Sequence, residues 1–179
     1  MEDSISLTPS VNPTISPPIH KLHSSWTLWV HLPHDTDWSL LSYKKILVFT
    51  SIEEAVTLME TLPHKMIKNC MLFLMRTGIN PTWEDAHNRM GGSFSYKVSN
   101  KTVPSVWKEL SYNLVGESLG TTNKTQEGIM GITISPKKNF CVLKIWMTNC
   151  SIKDPTMITI VGQEIVQQGC LFKKHNPNN

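Results

Sequence analysis

Six short segments of the chain are predicted to be β-strands, because they alternate apolar with polar residues or form brief apolar runs. Turn-forming residues bound these segments, and several of the links between them have hairpin length. The chain is therefore expected to build a sheet. The predicted strands are Ser25–Leu32, Lys45–Phe49, Met71–Met75, Ser93–Val98, Ile129–Ser135 and Phe140–Met147.

Three other segments are predicted to be α-helices from apolar spacing and from start and stop signals. Thr50–Glu53 is interpreted as a capping box at the start of the first helix, which Pro63 ends. The second helix is predicted over Pro104–Gly116, with Gly116 as a left-handed stop. The third is predicted over Asp154–Gly169. Strands with interspersed helices and short links indicate an α+β fold, an antiparallel sheet with its helices on one side.

The chain is predicted to divide into a tail and one domain. Residues 1–19 are rich in serine, threonine, asparagine and proline, and we expect them to form a disordered tail. The range 20–179 is predicted to be a single domain, since 179 residues is an ordinary length for a chain with one hydrophobic core.

Composition and charge exclude several classes of protein. The chain has no apolar run of about 18 residues and no sign of an export signal at its acidic, polar start, so no membrane association is expected. Four widely spaced cysteines and seven scattered histidines lack metal-ligand spacing, which favours reduced thiols in the cytoplasm or nucleus and no metal or other cofactor. A net charge of +3 is too small to indicate general nucleic-acid binding but permits a local basic patch.

Six tryptophans are more than one core needs, and two of them fall in predicted loops. Trp38 and Trp83 would expose large apolar rings there unless something covers them. A single loop tryptophan more often folds back onto the core. Glu84, however, directly follows Trp83, and a carboxylate beside an indole can accept two parallel hydrogen bonds from a guanine edge while the ring stacks on the base. Trp-Glu alone is a weak signal of nucleobase binding.

Seven short motifs follow one another in an order and at spacings that are specific as a set, although each is weak by itself. They are His20–Leu22 with Trp26–Trp29, Trp38, Phe49 with Thr50–Glu54, Gly78–Asp85, Gly91–Gly92, Trp107 with Val115–Ser118, and Lys144–Trp146. Through these motifs, over roughly residues 20–172, the chain resembles the family of eukaryotic translation initiation factor 4E, the mRNA cap-binding protein.

The resemblance implies a curved antiparallel sheet with three helices on its convex face and a cap-binding slot on its concave face. Trp38 and Trp83 resemble the two indoles that stack on 7-methylguanine, and Glu84 resembles the carboxylate that accepts hydrogen bonds from the guanine edge. Trp146 resembles the tryptophan that contacts the N7-methyl group. The other tryptophans are interpreted as core residues: Trp26, Trp29 and Trp107.

The resemblance also implies a cationic site for the cap triphosphate, but this chain has fewer cationic residues at that site than the family has. The family has an arginine where this chain has Lys137, and lysines where it has Asn139 and Val142. Lys144 has the same strand parity as Trp146 and is expected on the same face of the sheet. We therefore predict that Lys137 and Lys144 hold the phosphates, with Lys138 in a secondary role.

Little sequence remains after residue 175 for the family's last strand and its phosphate-side loop. Lys173 and Lys174 are expected to replace that loop in part.

The surface with which family members bind partner helices departs further from the family pattern. Ile52 is kept, but Val56 stands where the family has a tryptophan, and Lys108 and Tyr112 stand where leucines are usual. Loss of a tryptophan removes the kind of residue that dominates interface energy. The usual binding of a scaffold factor of the 4G type is therefore in doubt: either an adapted partner binds, or the protein binds caps without recruiting the ribosome.

Four functional hypotheses follow from these residues. The first is a non-enzymatic cap-binding protein of translation initiation, and its alternative is a repressor that sequesters caps. A decapping or nucleotide-hydrolysing enzyme is disfavoured, because the chain lacks a Gly-x-x-x-x-Gly-Lys-Ser/Thr loop and a carboxylate cluster spaced for magnesium. A general single-strand RNA binder is disfavoured by the small net charge.

Overall fold

The chain folds around a curved, open antiparallel sheet in a computed structural model that describes residues 18–160, 164–165 and 169–175. The strands in this part of the chain are β1 (Lys21–His31), β2 (Lys44–Ser51), β3 (Met71–Arg76), β4 (Gly92–Ser99), β5 (Ile129–Pro136), β6 (Phe140–Met147) and β7 (Leu171–Lys174). They pair in the order β2-β1-β3-β5-β6-β4-β7, and every pair is antiparallel. The predicted antiparallel sheet and its first six strands are confirmed.

Helices cover one face of this sheet. The described α-helices are α1 (Ile52–Thr61), α2 (His64–Asn69), α3 (Val103–Val115) and α4 (Asn123–Glu127). Apolar residues of α1, α2 and α3 join one buried cluster with side chains from the sheet, which is the main core. The predicted α+β architecture, with helices on one side, is therefore confirmed. None of the described helices combines the length and the apolar character that crossing a bilayer requires.

Alternate residues of the central strands enter two separate clusters. In β3, Leu72 and Leu74 lie in the main core, whereas Phe73 and Met75 lie in a smaller cluster on the helix-free face. The tryptophans divide in the same way. Trp26 and Trp107 are fully buried in the main core, as predicted, but Trp29 is half-buried against the smaller cluster, with the Lys45 ammonium 5.0 Å from its ring centroid.

The predicted third helix over Asp154–Gly169 is wrong in its first part. The structure has a single 3-10 turn, Pro155–Met157, and then an extended segment in which Ile158 pairs with Gly120. The Thr159 amide donates to the Leu119 carbonyl at 2.8 Å, so backbone pairing takes the hydrogen bonds that a helix would use. Residues 161–163 and 166–168 lie outside the described part of the chain.

The chain end described by the structure contains a strand that the sequence did not predict. β7 (Leu171–Lys174) pairs with β4 and extends the sheet beyond it. β7 ends before residue 175, so the expectation that little sequence remains for a strand after that point concerns residues outside the described part of the chain. Four residues suffice for β7 because the β4 edge supplies their pairing partner.

The capping box of α1 lies one residue later than predicted. The Ser51 hydroxyl accepts from the Glu54 amide at 3.3 Å, and the Glu54 carboxylate accepts from the Ser51 amide at 3.1 Å. Glu53 instead accepts a hydrogen bond from the His20 amide, which ties the helix start to the start of β1. The shift arises because β2 continues to Ser51 and leaves Thr50 within the strand.

The left-handed residue at the end of α3 is also one position later than predicted. Gly116 has a φ of −79°, and Glu117 takes the left-handed conformation with a φ of 54°. The Glu117 carboxylate forms two hydrogen bonds with the Arg76 guanidinium, at 2.9 and 2.8 Å, and accepts a third from Gln126 at 2.7 Å. These contacts hold the strained residue in place.

Candidate functional site

The candidate site is a groove on the helix-free face of the sheet. Its volume is about 310 Å³, and it is open to solvent. Trp38, Trp83, Glu84 and Trp146, which were predicted to recognise the base, all line it. We call it the aromatic groove, and its lining is Trp38, Tyr43, Met71, Phe73, Pro81, Thr82, Trp83, Glu84 and Trp146.

Trp38 lies in the loop between β1 and β2 and leaves 58% of its surface exposed. One face of its indole stacks on His31, with ring centroids 4.3 Å apart and planes 4° apart. Asp37 orders the loop just before it, because its carboxylate accepts hydrogen bonds from the Ser39 amide and hydroxyl, both at 2.8 Å. These hydrogen bonds hold the pKa of Asp37 below its usual value. Trp38 is thus an exposed ring on an ordered loop.

Trp83 and Glu84 lie in the loop between β3 and β4, which two polar side chains shape from within. The Asp85 carboxylate accepts from the Asn80 and His87 amides, both at 2.9 Å. Burial raises the pKa of Asp85, but its hydrogen bonds to His87 and Asn80 outweigh this and lower the pKa overall. Asn88 is fully buried and donates to two loop carbonyls, one of them that of Asn80, at 3.0 Å. The loop therefore presents Trp83 and Glu84 in a defined position.

Glu84 brings the negative charge of the aromatic groove. The Glu84 side chain is exposed. The pKa of Tyr43, across the groove, is raised mainly by burial and further by the negative charge of Glu84. Trp83 is 45% exposed beside it. An exposed carboxylate next to an exposed indole can accept hydrogen bonds from a planar ligand that stacks on the ring.

Trp146 forms the buried floor of the aromatic groove. Its Nε1 donates to the Thr133 hydroxyl at 2.8 Å, which fixes the plane of the ring. His175, directly after β7, packs on it with ring centroids 4.6 Å apart, and His175 Nδ1 is 2.8 Å from the Asn88 carbonyl oxygen. Burial is the main reason why the pKa of His175 is lowered. The last described strand thus connects the floor of the groove to the Trp83 loop.

A second groove of about 290 Å³ continues from the first and carries the positive charge. Two of the predicted phosphate-binding residues, Lys137 and Lys144, line it. The third, Lys138, lies exposed in the β5–β6 turn and lines neither groove. We call it the lysine groove, and its lining is Trp38, Met71, Phe73, Thr133, Ser135, Lys137, Val142, Lys144 and Trp146.

Lys144 is the half-buried cation of the lysine groove. Burial lowers the pKa of Lys144, and the positive charges of Lys137 and Lys173 lower it further. Lys173 lies on β7, opposite Ser93 of β4. Lys137 of the β5–β6 turn and Lys173 of β7 therefore both lie near enough to Lys144 for their charges to act on it. Mutually repelling cations form a site that an anion would stabilise.

The predicted partner surface lies on the opposite side, on the helices. Ile52 and Val56 of α1 are exposed by 47% and 42%. Lys108 and Tyr112 of α3 both bind Glu60: the Lys108 ammonium lies 2.5 Å from its carboxylate, and the Tyr112 hydroxyl donates at 2.8 Å. Burial and the Glu60 carboxylate raise the pKa of Tyr112 to about 12. The two positions at which the family has leucines therefore carry a polar link between α3 and α1.

No group of three or more histidine, cysteine, aspartate or glutamate side chains in the described ranges could hold a metal ion. The four cysteines of the chain are free thiols.

Comparison with known proteins identifies the family. The fold is that of a cap-binding protein: the family model described as "Eukaryotic initiation factor 4E" matches residues 21–176. The chain therefore belongs to the eukaryotic initiation factor 4E family. It is 30% identical over 149 residues to translation initiation factor 4E-1 of Schizosaccharomyces pombe and 30% identical over 139 residues to isoform 4E-2 of Zea mays. These matches cover 77% and 74% of the chain but only 65% and 62% of the relatives, so the chain spans just under two thirds of their length.

Solved structures share the fold. Caenorhabditis elegans eIF4E-3, in a complex with the 4E-binding protein Mextli and a cap analogue, matches with a TM-score of 0.73 and 21% identity over 88% of this chain and 94% of that one. Schistosome eIF4E, complexed with m7GpppG and 4E-BP, matches with a TM-score of 0.67 and 24% identity over 74% of each chain.

Proposed function

We propose that the chain binds the 7-methylguanosine cap of mRNA and acts in translation initiation. The observation that carries the proposal is the aromatic groove, in which two exposed indoles and a carboxylate surround a space at the open face of a 4E-type sheet. The two related structures described above contain m7GpppG or a cap analogue, which supports a ligand of the same class.

The chemistry of the groove suits a cationic purine. Methylation at N7 makes guanine positively charged, and a cation over an indole face gains about 0.5–1 kcal/mol when exposed and 2 kcal/mol or more when desolvated. Trp38 and Trp83 would stack on the two faces of the base, while Glu84 would accept hydrogen bonds from its N1 and N2 protons. Trp146, at the floor, would contact the methyl group.

The lysine groove suits the triphosphate that follows the base. It shares Trp38 and Trp146 with the aromatic groove, so a ligand that stacks in one can extend into the other. Lys137 and Lys144 would bind phosphate oxygens, and Lys173 would add a third positive charge nearby. Lys138 keeps only a secondary, long-range role because it lies outside the groove.

A cap-sequestering repressor is the second candidate, favoured by one observation on the helical side. A usual partner helix would meet Val56 in place of a tryptophan, and the Glu60–Lys108–Tyr112 link in place of an apolar patch. The related structures hold 4E-binding proteins, so we propose a partner of the scaffold type or an adapted equivalent at this surface. The usual binding mode would be weakened.

Retention on a 7-methyl-GTP resin tests the proposal. The full chain is expected to bind the resin and to be eluted by free 7-methyl-GTP but not by the same concentration of GTP. The eluted analogue should be chemically intact, since we propose binding and no turnover. A failure to bind, elution by both nucleotides at equal concentration, or cleavage of the analogue would contradict the proposal.

A further inference from the structure

His31 is an unusual neighbour for an exposed tryptophan. It is the last residue of β1, only 2% exposed, and its ring lies parallel to the Trp38 indole at 4.3 Å. An exposed loop side chain normally samples several rotamers, and a ligand that needs one of them must order it on binding. His31 covers one indole face and leaves the other turned to the aromatic groove.

A hydrogen bond fixes the backbone of the same loop. His31 Nε2 is 2.8 Å from the Asp37 carbonyl oxygen, so the imidazole donates to the residue just before Trp38. The imidazole thus holds Trp38 in two ways, by stacking on its ring and by binding the peptide group that leads into it. Both contacts join the end of β1 to the middle of the loop between β1 and β2.

The imidazole is itself held from behind. Tyr43 packs edge-on against His31, with centroids 5.1 Å apart, and Phe73 packs edge-on against Tyr43 at 5.3 Å. Phe73 belongs to the small buried cluster on the open face of the sheet. A continuous series of packed rings therefore connects the sheet to Trp38 through Tyr43 and His31.

We infer that His31 is the positioning residue that pre-orders Trp38 for base stacking. This inference rests on the proposed function for its ligand, but its structural part concerns the free protein. His31 does not contact the base, since Trp38 lies between them and His31 is absent from the lining of the aromatic groove. It acts by removing the ordering cost that an exposed loop tryptophan would otherwise impose on binding.

Three variants separate the contributions of His31. His31→Ala removes both the stacked ring and the donor, His31→Phe keeps a ring without the donor, and His23→Ala on the same strand is the control, because the His23 side chain is 87% exposed. His31→Ala is expected to lower the affinity for 7-methyl-GTP about tenfold, close to the cost of ordering one side chain. His31→Phe should recover part of this loss, and His23→Ala should have no effect.

A double-mutant cycle with Trp38→Ala distinguishes positioning from a general structural effect. If His31 acts through Trp38, His31→Ala should change the affinity less than about twofold once Trp38 is absent, because the two losses are coupled. An undiminished loss in the Trp38→Ala background, or no loss in the presence of Trp38, would overturn the inference.

Fluorine NMR of the ligand-free protein gives a readout that does not depend on cap binding. The chain is labelled with 5-fluorotryptophan, and the Trp38 resonance is assigned by its loss in Trp38→Phe. Because removal of a stacked ring shifts this resonance by itself, the readout is its fluorine relaxation, which reports the motion of the Trp38 side chain. We expect larger motion of Trp38 in His31→Ala and motion close to that of the wild type in His31→Phe and His23→Ala. Unchanged motion in His31→Ala refutes the inference. If the wild-type protein failed to bind 7-methyl-GTP while Trp38 became more mobile in His31→Ala, the proposed function would fail and the ordering of Trp38 would stand.

Discussion

At the residue scale, the discrimination of guanine is expected to rest on Glu84. Glu84→Gln keeps the size of the side chain but replaces one acceptor oxygen with a donor, which would face the N–H groups of the base. A hydrogen bond to a charged group contributes about 1.5–3 kcal/mol, so the affinity for 7-methyl-GTP should fall about tenfold to a hundredfold. Equilibrium titration measures this, with Glu127→Gln on α4, outside both grooves, as the matched control. Equal losses in the two variants would argue against a specific role for Glu84.

Lys144 is expected to lower the stability of the folded protein while it raises the affinity for the triphosphate. Because burial and two neighbouring lysines lower its pKa in the folded protein, the charged form destabilises the native state. Lys144→Met should therefore increase the free energy of unfolding at neutral pH by on the order of 1 kcal/mol and weaken triphosphate binding. Urea unfolding and titration with 7-methyl-GTP measure the two effects, and the exposed Lys101→Met is the control.

The pH dependence of this stability difference has a definite sign. The lysine pKa is lower in the folded than in the unfolded chain, so the unfolded chain binds more protons between those two pKa values. The destabilisation by the charged Lys144 is fully present below the pKa that Lys144 has in the folded protein. It disappears as the pH rises towards the ordinary lysine pKa of 10.5. The advantage of Lys144→Met over wild type should shrink in that window. An advantage that grows with pH would contradict this explanation.

Part of the candidate site could be predicted from single residues of the sequence, for a physical reason. Trp38, Trp83 and Glu84 stand out because exposed indoles beside a carboxylate are costly without a ligand, and the structure brings them together with Trp146. His31 gave only a weak signal: it shares the parity of Trp29 and immediately precedes the loop of Trp38. Its role depends on a ring-to-ring distance that no local pattern encodes.

At the scale of elements, mutation can distinguish two possible N-cap residues at the start of α1, Ser51 and Thr50. In the structure Ser51 is the N-cap and Thr50 belongs to β2. Ser51→Ala should therefore destabilise the protein by about 1 kcal/mol, the usual cost of losing an N-cap side chain, and Thr50→Ala by clearly less. Thermal and urea unfolding of the two variants measure the difference. If Thr50→Ala were the more damaging change, the register predicted from the sequence would be correct.

The helical surface offers a gain-of-function experiment. Val56→Trp restores a large ring beside the exposed Ile52, and interface tryptophans often contribute about 2 kcal/mol or more. The variant should bind a helical peptide with the Tyr-x-x-x-x-Leu-hydrophobic pattern about thirtyfold more tightly than wild type. Thr57→Trp, at the next exposed position of α1, is the control. A wild type that already binds the peptide as tightly as Val56→Trp would show that the surface has kept the usual mode.

Elements with clear local signals were predicted well, and elements that depend on distant partners were not. The first six strands and the helices α1 and α3 carry their own apolar period. β7 is four residues long and exists because β4 offers an open edge. The predicted helix over Asp154–Gly169 had helical apolar spacing, but the pairing of Ile158 with Gly120 prevailed over it. Tertiary pairing of this kind cannot be read from a local window.

At the scale of the whole molecule, the two faces of the sheet have separate roles. The helix side holds the main core and the surface altered at Val56, Lys108 and Tyr112, whereas the open side holds the aromatic and lysine grooves. The sequence predicted this division because the order of elements and the family motifs both imply helices on one side. It could not predict that β7 would bring Lys173 and His175 to the open side, since that depends on long-range pairing with β4.

Selectivity for a cationic base is the central claim, and one titration tests it most directly. Tryptophan fluorescence of the full chain is followed during addition of 7-methyl-GTP and, separately, of GTP, which carries the same phosphates without the positive charge on the base. Two stacked cation–π contacts predict a preference of roughly 1–4 kcal/mol, or about fivefold to a thousandfold, for the methylated nucleotide. Trp38→Ala, which removes one of the two contacts, should remove about half of that preference in free energy. Equal affinities of the wild type for 7-methyl-GTP and GTP would contradict the account.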